Sequence, residues 1–207
     1  MYSVMVAPSP IPVFLDFNLS EDDSPIRPTE KEFRRICQKY DGFRIEMSKE
    51  GVIEIMPPTG GDTGRFNSRI TRKLDEWTEQ QGQGESFDSS TLFELPNGAK
   101  RSPDASWVRH EIWEMLTSAE RKAFPPLCPD FVIELRSPSD RLTALKTKME
   151  EYVENGAQLG WLIDPEDCKV YIYRPNQPVE CLEQPAELSG ENVLPGFVLP
   201  VARLWQG

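Results

Sequence analysis

Residues 130–164 read DFVIELRSPSDRLTALKTKMEEYVENGAQLGWLID, and this stretch decides the fold. Phe131 to Leu135 is an apolar run broken only by Glu134, which predicts a buried strand. Ser137, Pro138 and Asp140 then spell a helix start, with Ser137 as N-cap, Pro138 at the first helical position and Asp140 closing the capping box. Leu142, Leu145, Met149, Tyr152 and Val153 form the apolar stripe of that helix, and Glu154-Asn155-Gly156 ends it. Leu159 to Asp164 is the strand that follows. Strand, helix and strand in this order predict a sheet with helices packed on it.

The flanking segments extend the pattern. Upstream, TEKE predicts a capped helix starting at Thr29, with Phe33, Ile36 and Tyr40 on one face. Phe43–Met47 and Val52–Met56 form a hairpin through SKEG, and a helix runs from Thr63 to Gln80 on Phe66, Ile70, Leu74 and Trp77. Ser86–Leu95 is expected to pair with Pro103–Val108 through the Asn-Gly turn of LPNG, and HEIWEMLTSAERKAF is a helical excursion. Downstream, KVYIYRP pairs back on LGWLID across PEDC, while ENVLPGFVLPVARLW packs on the body or on a second subunit. The fold class is α/β, or α+β, with a mixed sheet flanked by helices. Neither GxGxxG after a strand nor GxxxxGK[ST] occurs, and TGGDTG reads as a turn. Residues 1–28, with five prolines from Pro8 to Pro28 and the acids Glu21, Asp22 and Asp23, are expected to be an extended arm, leaving 29–207 as one domain.

Composition narrows the class. The 207 residues carry 34 acidic against 23 basic side chains, a net charge of −11, and such a surface repels phosphate at long range. The block 100–148 is the exception, with nine basic and seven acidic residues. Cys37, Cys128, Cys168 and Cys181 form no CxxC pair, and a single histidine cannot complete a usual zinc set. Free thiols, a proline-broken N-terminus that makes a poor signal peptide and no long apolar run predict a soluble cytoplasmic protein without a membrane span.

Chemistry is suggested by Asp104 in RSPDASWV, Glu134 in the buried strand and Lys148 in the helix after it. A carboxylate inside FVIEL must face outward, pair with Arg136, or be buried for a purpose, because burial unpaired costs several kcal/mol. Asp104 also suits a strand start, and Lys148 suits a snorkelling position at the edge of the apolar stripe. Together the two acids could hold a hard divalent cation, and the amine could stabilise charge on a phosphate. Arg101 and Lys100 stand ready for phosphate, Glu46 and Asp88 for a further metal contact, and His110 for the surface.

GVIEIMPPTGG, FDSSTLFELPNGAKRSPD, RSPDASWV, CPDFVIELRSPSD and KMEEYVENGAQLGWLIDP together resemble the Uma2 family, common in cyanobacteria and placed with the restriction-endonuclease-like PD-(D/E)xK fold. The resemblance spans residues 29–205. It implies a hydrolase, a Mg²⁺- or Mn²⁺-dependent DNA endonuclease acting as a homodimer. It assigns Asp104 as the PD aspartate and Glu134 as the second acid, both metal ligands and catalytic. Lys148 then matches a catalytic lysine moved from the strand into the next helix. Arg136 stands at the usual lysine place, and Lys148 and Tyr152 are spaced like the QxxxY helix of related nucleases. The resemblance thereby puts Lys148 and Tyr152 near the substrate backbone, and Arg101, Arg136 and Tyr152 are the expected substrate-binding residues. The alternative is a catalytically silent nuclease-like module used for binding or assembly, which Arg136 and the acidic charge favour.

Overall fold

In the computed structural model, residues 4–6, 28–56, 58–81 and 83–206 are described. The arm expected over 1–28 lies outside them, apart from Pro28 and a short strand, β1 (Val4–Val6), which pairs in parallel with Ile53–Ile55. Thr29 starts α1 (Glu30–Lys39) by its capping box. Its hydroxyl accepts the Glu32 N–H at 3.3 Å, and its own N–H donates to Glu32 Oε2 at 2.7 Å. Phe33 and Ile36 bury one face of α1 against the hairpin of β2 (Arg44–Met47) and β3 (Ile53–Met56). α2 (Gly61–Gln81) begins at Gly61 rather than Thr63, and Phe66, Ile70, Leu74 and Trp77 carry its buried stripe.

The single hairpin expected across LPNG is divided between two sheets. β4 (Gly84–Asp88) ends early, and the chain then makes β5 (Phe93–Glu94) and β6 (Lys100–Arg101), a short hairpin joined to β2. Gly98 closes its turn at φ 84°, a conformation open to glycine. After Ser102–Asp104 the chain returns to the first partner, and β7 (Ala105–Arg109) pairs antiparallel with β4. α3 (His110–Met115) and α4 (Ser118–Arg121) follow, then β8 (Phe131–Leu135), every residue of which is buried.

The expected helix start at Ser137 is corrected here. The Ser137 N–H and hydroxyl both donate to Asp140 Oδ2, at 2.8 and 2.6 Å, so the SPSD box satisfies itself as a turn. α5 (Leu142–Glu154) begins only after Arg141, and no helix N-terminus stands at Ser137. α5 leads to β9 (Leu159–Asp164), parallel to β8, and lies close on it at Gly160, where a Cβ would stand 2.5 Å from Met149 Cε. β10 (Lys169–Tyr173) and β11 (Glu180–Glu183) extend the sheet antiparallel.

Strand orders β1-β3-β2-β6-β5 and β11-β10-β9-β8-β7-β4 define two mixed sheets flanked by helices, the α/β architecture expected. The chain closes with the pair β12 (Glu187–Ser189) and β13 (Val198–Pro200) and a 3-10 turn, Ala202–Gln206. Leu188, Leu194, Phe197, Leu199, Val201 and Leu204 share a core with Phe131 and Trp161. The apolar C-terminal segment therefore packs on the body, and these buried side chains are not a free face for a second subunit.

Candidate active site

Strand parity selects the site's face. Phe131, Ile133 and Leu135 turn to the aromatic core, so Val132 and Glu134 turn to α5. There Lys148 and Tyr152, one helical turn apart, meet Glu134: the Tyr152 hydroxyl donates to Oε1 at 3.0 Å, and Lys148 Nζ stands 2.8 Å from the same oxygen. Asp104 precedes β7 at the pairing edge of β8, and its Oδ2 accepts the Leu135 N–H at 2.8 Å. The other sheet contributes Glu46, whose Oε1 takes the Ser102 N–H at 3.0 Å and Lys148 Nζ at 2.8 Å. Lys148 thus bridges acids from both sheets, and Ser102–Asp104 is the crossing that joins them.

Five carboxylates share this space with three cations. Glu46 lies opposite Glu54 in the β2–β3 register, a like-charge pair that is destabilising by itself. Arg101 resolves it: its Nη1 reaches Glu54 at 2.5 Å and Glu46 at 3.3 Å, and its Nε reaches Glu151 at 2.6 Å. Arg44 adds a bridge from Nη1 to Asp104 Oδ1 at 2.6 Å. Burial would raise the Glu46 carboxyl, but Lys148, Arg101 and Arg44 outweigh it and bring it down to about 2. Glu134 goes the other way, to about 7. Burial is the main cause, Lys148 opposes it, and the charges of Asp104 and Glu46 add to it. Tyr152 is held well above its ordinary value by burial and by Glu134, so it stays a donor.

Among the described residues, no group of three His, Cys, Asp or Glu side chains is arranged to hold a metal ion. The donor chemistry nevertheless fits a hard divalent cation. Asp104, Glu134 and Glu46 offer only oxygen to such an ion, and the cluster has more carboxylates than cations. Asp104 and Glu134 are the residues that would hold it, with Glu46 behind Lys148.

Asp104, Glu134, Lys148 and Tyr152 therefore converge, with Arg101 one carboxylate away. Arg101 is buried and its guanidinium is committed to glutamates, while Tyr152 is fully buried behind Glu134. Arg136 leaves the group: its Nη1 pairs with both oxygens of Asp164, at 3.0 and 2.9 Å, and approaches Asp167 at 3.5 Å. Lys100 is locked between Glu30 and Glu94, at 2.7 and 2.9 Å. Asp88 accepts the Ser90 N–H and hydroxyl, and His110 is half-exposed near Glu85. Arg44, Glu54 and Glu151 join the cluster without having been singled out. A signal was present in FRIEM and VIEIM, where Arg44, Glu46 and Glu54 alternate with buried apolar residues and so share one face of the hairpin.

Comparison with known proteins bears on this geometry. The model of the Uma2 family, described as "Putative restriction endonuclease", matches residues 30–202. The chain belongs to the Uma2 family. A similar solved structure is described as a putative nuclease belonging to DUF820, from Anabaena variabilis. At 23% identity and a TM-score of 0.67, over 78% of this chain and 89% of that one, it supports the fold. No curated protein matches the chain. The Uma2 match contains every residue of the cluster, from Arg44 to Tyr152.

Proposed function

We propose that this Uma2 protein is a Mg²⁺- or Mn²⁺-dependent endonuclease hydrolysing DNA phosphodiester bonds at the Asp104–Glu134–Lys148 cluster. The observation that carries the reading is the placement of Lys148 Nζ at 2.8 Å from both Glu46 and Glu134, beside Asp104, inside a nuclease-like fold. A bound divalent ion would polarise the phosphate and lower the pKa of an attacking water. Asp104 and Glu134 bind and orient. A Glu134 oxygen not bound to the ion can also take the water's proton as the water's oxygen bonds to phosphorus and the phosphorus–sugar oxygen bond breaks, the departing oxygen taking a proton from solvent. Lys148 stabilises the charge that develops on the phosphate. Tyr152 fixes Glu134, and Arg101 fixes Glu46, so both act as positioning residues rather than on the substrate. Arg136 has no part, being occupied by Asp164.

Residues 29–207 form the catalytic domain in this reading, and a cytoplasmic homodimer is proposed with it. Such a dimer would use a surface other than the buried C-terminal residues. Among the described residues no helix is long and apolar enough to cross a membrane.

A second reading, a catalytically silent nuclease-like module, is favoured by one observation: Arg44 already occupies Asp104 Oδ1. Incubation with supercoiled, linear and branched DNA, with Mg²⁺ or Mn²⁺ and with RNA as comparison, separates the two. Metal-dependent cutting of DNA that Asp104→Ala and Lys148→Ala both abolish is expected. An inert wild type with no metal binding by calorimetry would select the silent module.

A further inference from the structure

Arg44 is the least satisfied guanidinium of the cluster. Its Nη1 meets Asp104, but Nε and Nη2 rest on the Met56 sulfur at 3.2 and 3.1 Å, and a thioether is a weak acceptor. Arg101, by contrast, spends its charge on three carboxylates. Arg44 is also the more accessible, with 28% of its side chain exposed against 8% for Arg101. On its open side lies a recess of about 710 Å³ between α1, β2 and the loop after β4. Arg34, Phe43, Ser89, Ser90 and Ser102 line it with Arg44, and Asp41 is the carboxylate in its wall. The Ser90 hydroxyl is held by Asp88, but the Arg44 donors that rest on sulfur and the Ser89 and Ser102 hydroxyls suit a phosphate oxygen, which accepts hydrogen bonds and donates none.

We propose that this recess is a subsite for a phosphate of the nucleic-acid strand next to the bond being cut, with Arg44 as its principal ligand. At rest Arg44 holds Asp104. When a divalent cation takes that carboxylate, the guanidinium is displaced and turns to the strand in the recess. Arg34 also lines the recess, its guanidinium over the Phe124 ring at 4.4 Å from the centroid and its Nε paired with Glu30 at 2.7 Å, so that it adds positive charge there as a secondary contact. The proposal rests on the nuclease reading above. It adds a linkage: cation and strand each strengthen binding of the other, because both draw Arg44 away from Asp104.

The test uses the full chain, Mn²⁺ alone in calorimetry, and a fluorescent single-stranded oligodeoxynucleotide in Ca²⁺ or in chelator. Arg44→Met should bind Mn²⁺ about tenfold more tightly, since the competing cation is gone, and the oligonucleotide about tenfold more weakly. The strengthening of oligonucleotide binding by Ca²⁺ expected in the wild type should shrink in this variant. Arg34→Ala should weaken the oligonucleotide several-fold and leave Mn²⁺ affinity unchanged. If Arg44→Met does not fold, Arg44→Gln replaces it, keeping a donor to Asp104 without the charge. A wild type that cuts DNA with Mn²⁺, together with an Arg44→Met variant unchanged in both affinities, overturns this inference alone. A wild type that neither binds Mn²⁺ nor cuts DNA overturns the nuclease reading and this inference with it.

Discussion

The two faces of β8 are built on opposite terms. On one, Phe131 stands edge-on to Trp161 with centroids 4.8 Å apart, and Trp161 stacks with Phe197 at 5.9 Å within a large apolar cluster. On the other, a single residue along the same strand, Glu134 is ringed by two acids, a lysine and a tyrosine. One face gains stability from apolar area removed from water. The other spends some on holding charges in a dry place, where removing a partner costs far more than the pair itself contributes. The contrast teaches that five residues can anchor a fold on one face and gather buried charge on the other, provided strand alternation keeps the two apart.

That separation can be challenged directly. Trp161→Ala should cost about 3–5 kcal/mol by urea unfolding. Cutting per folded molecule should be unchanged; a loss greater than about threefold there would show that the faces are not independent. Arg101→Met keeps most of the side-chain stem but leaves Glu46, Glu54 and Glu151 without their shared cation. It should destabilise by about 3 kcal/mol, and a neutral result would mean that the polar face tolerates its own repulsion.

The pH dependence comes next, measured in chelator. Glu134 titrates near 7 in the folded chain against an ordinary 4.5, so the folded state holds the extra proton between these values. Its contribution to stability is therefore complete below 4.5 and is lost as pH rises through 7, on the order of 3 kcal/mol in all. Glu46 has the opposite sign: lowered to about 2, its contribution is present above 4.5 and lost as pH falls towards 2. Glu134→Gln should flatten the fall between pH 4.5 and 7. An unaltered slope in that variant would assign the fall to another group. The smallest effect is expected from Tyr152→Phe, about 1 kcal/mol for one buried hydrogen bond, with cutting reduced about tenfold through the loosened Glu134. Unchanged cutting would make Tyr152 a packing residue only.

Much of this was legible in the chain because it is local. The Thr29 capping box, the β2–β3 hairpin and the alternation that turns Glu134 against α5 each follow from residues within a few positions of one another. What escaped depends on pairings distant in sequence. Arg44 meets Asp104 only because β6 joins β2, and Glu54 becomes a partner only through Arg101. Ser137 misled because its hydrogen bonds to Asp140 are those of a cap, yet they close a turn before any helix exists. Arg136 has the parity of Glu134, but the chain leaves the sheet there and buried Asp164 captures the guanidinium.

The β12–β13 pair carries a consequence for how the molecule is made. Leu188, Leu194, Phe197 and Leu199 cover Phe131 and Trp161, so during synthesis that side of the sheet stays bare until residues 188–199 have left the ribosome. A product stopped at Glu183 would retain every residue of the acidic cluster and still present a wet aromatic wall. It should bind a hydrophobic dye and fall to proteases.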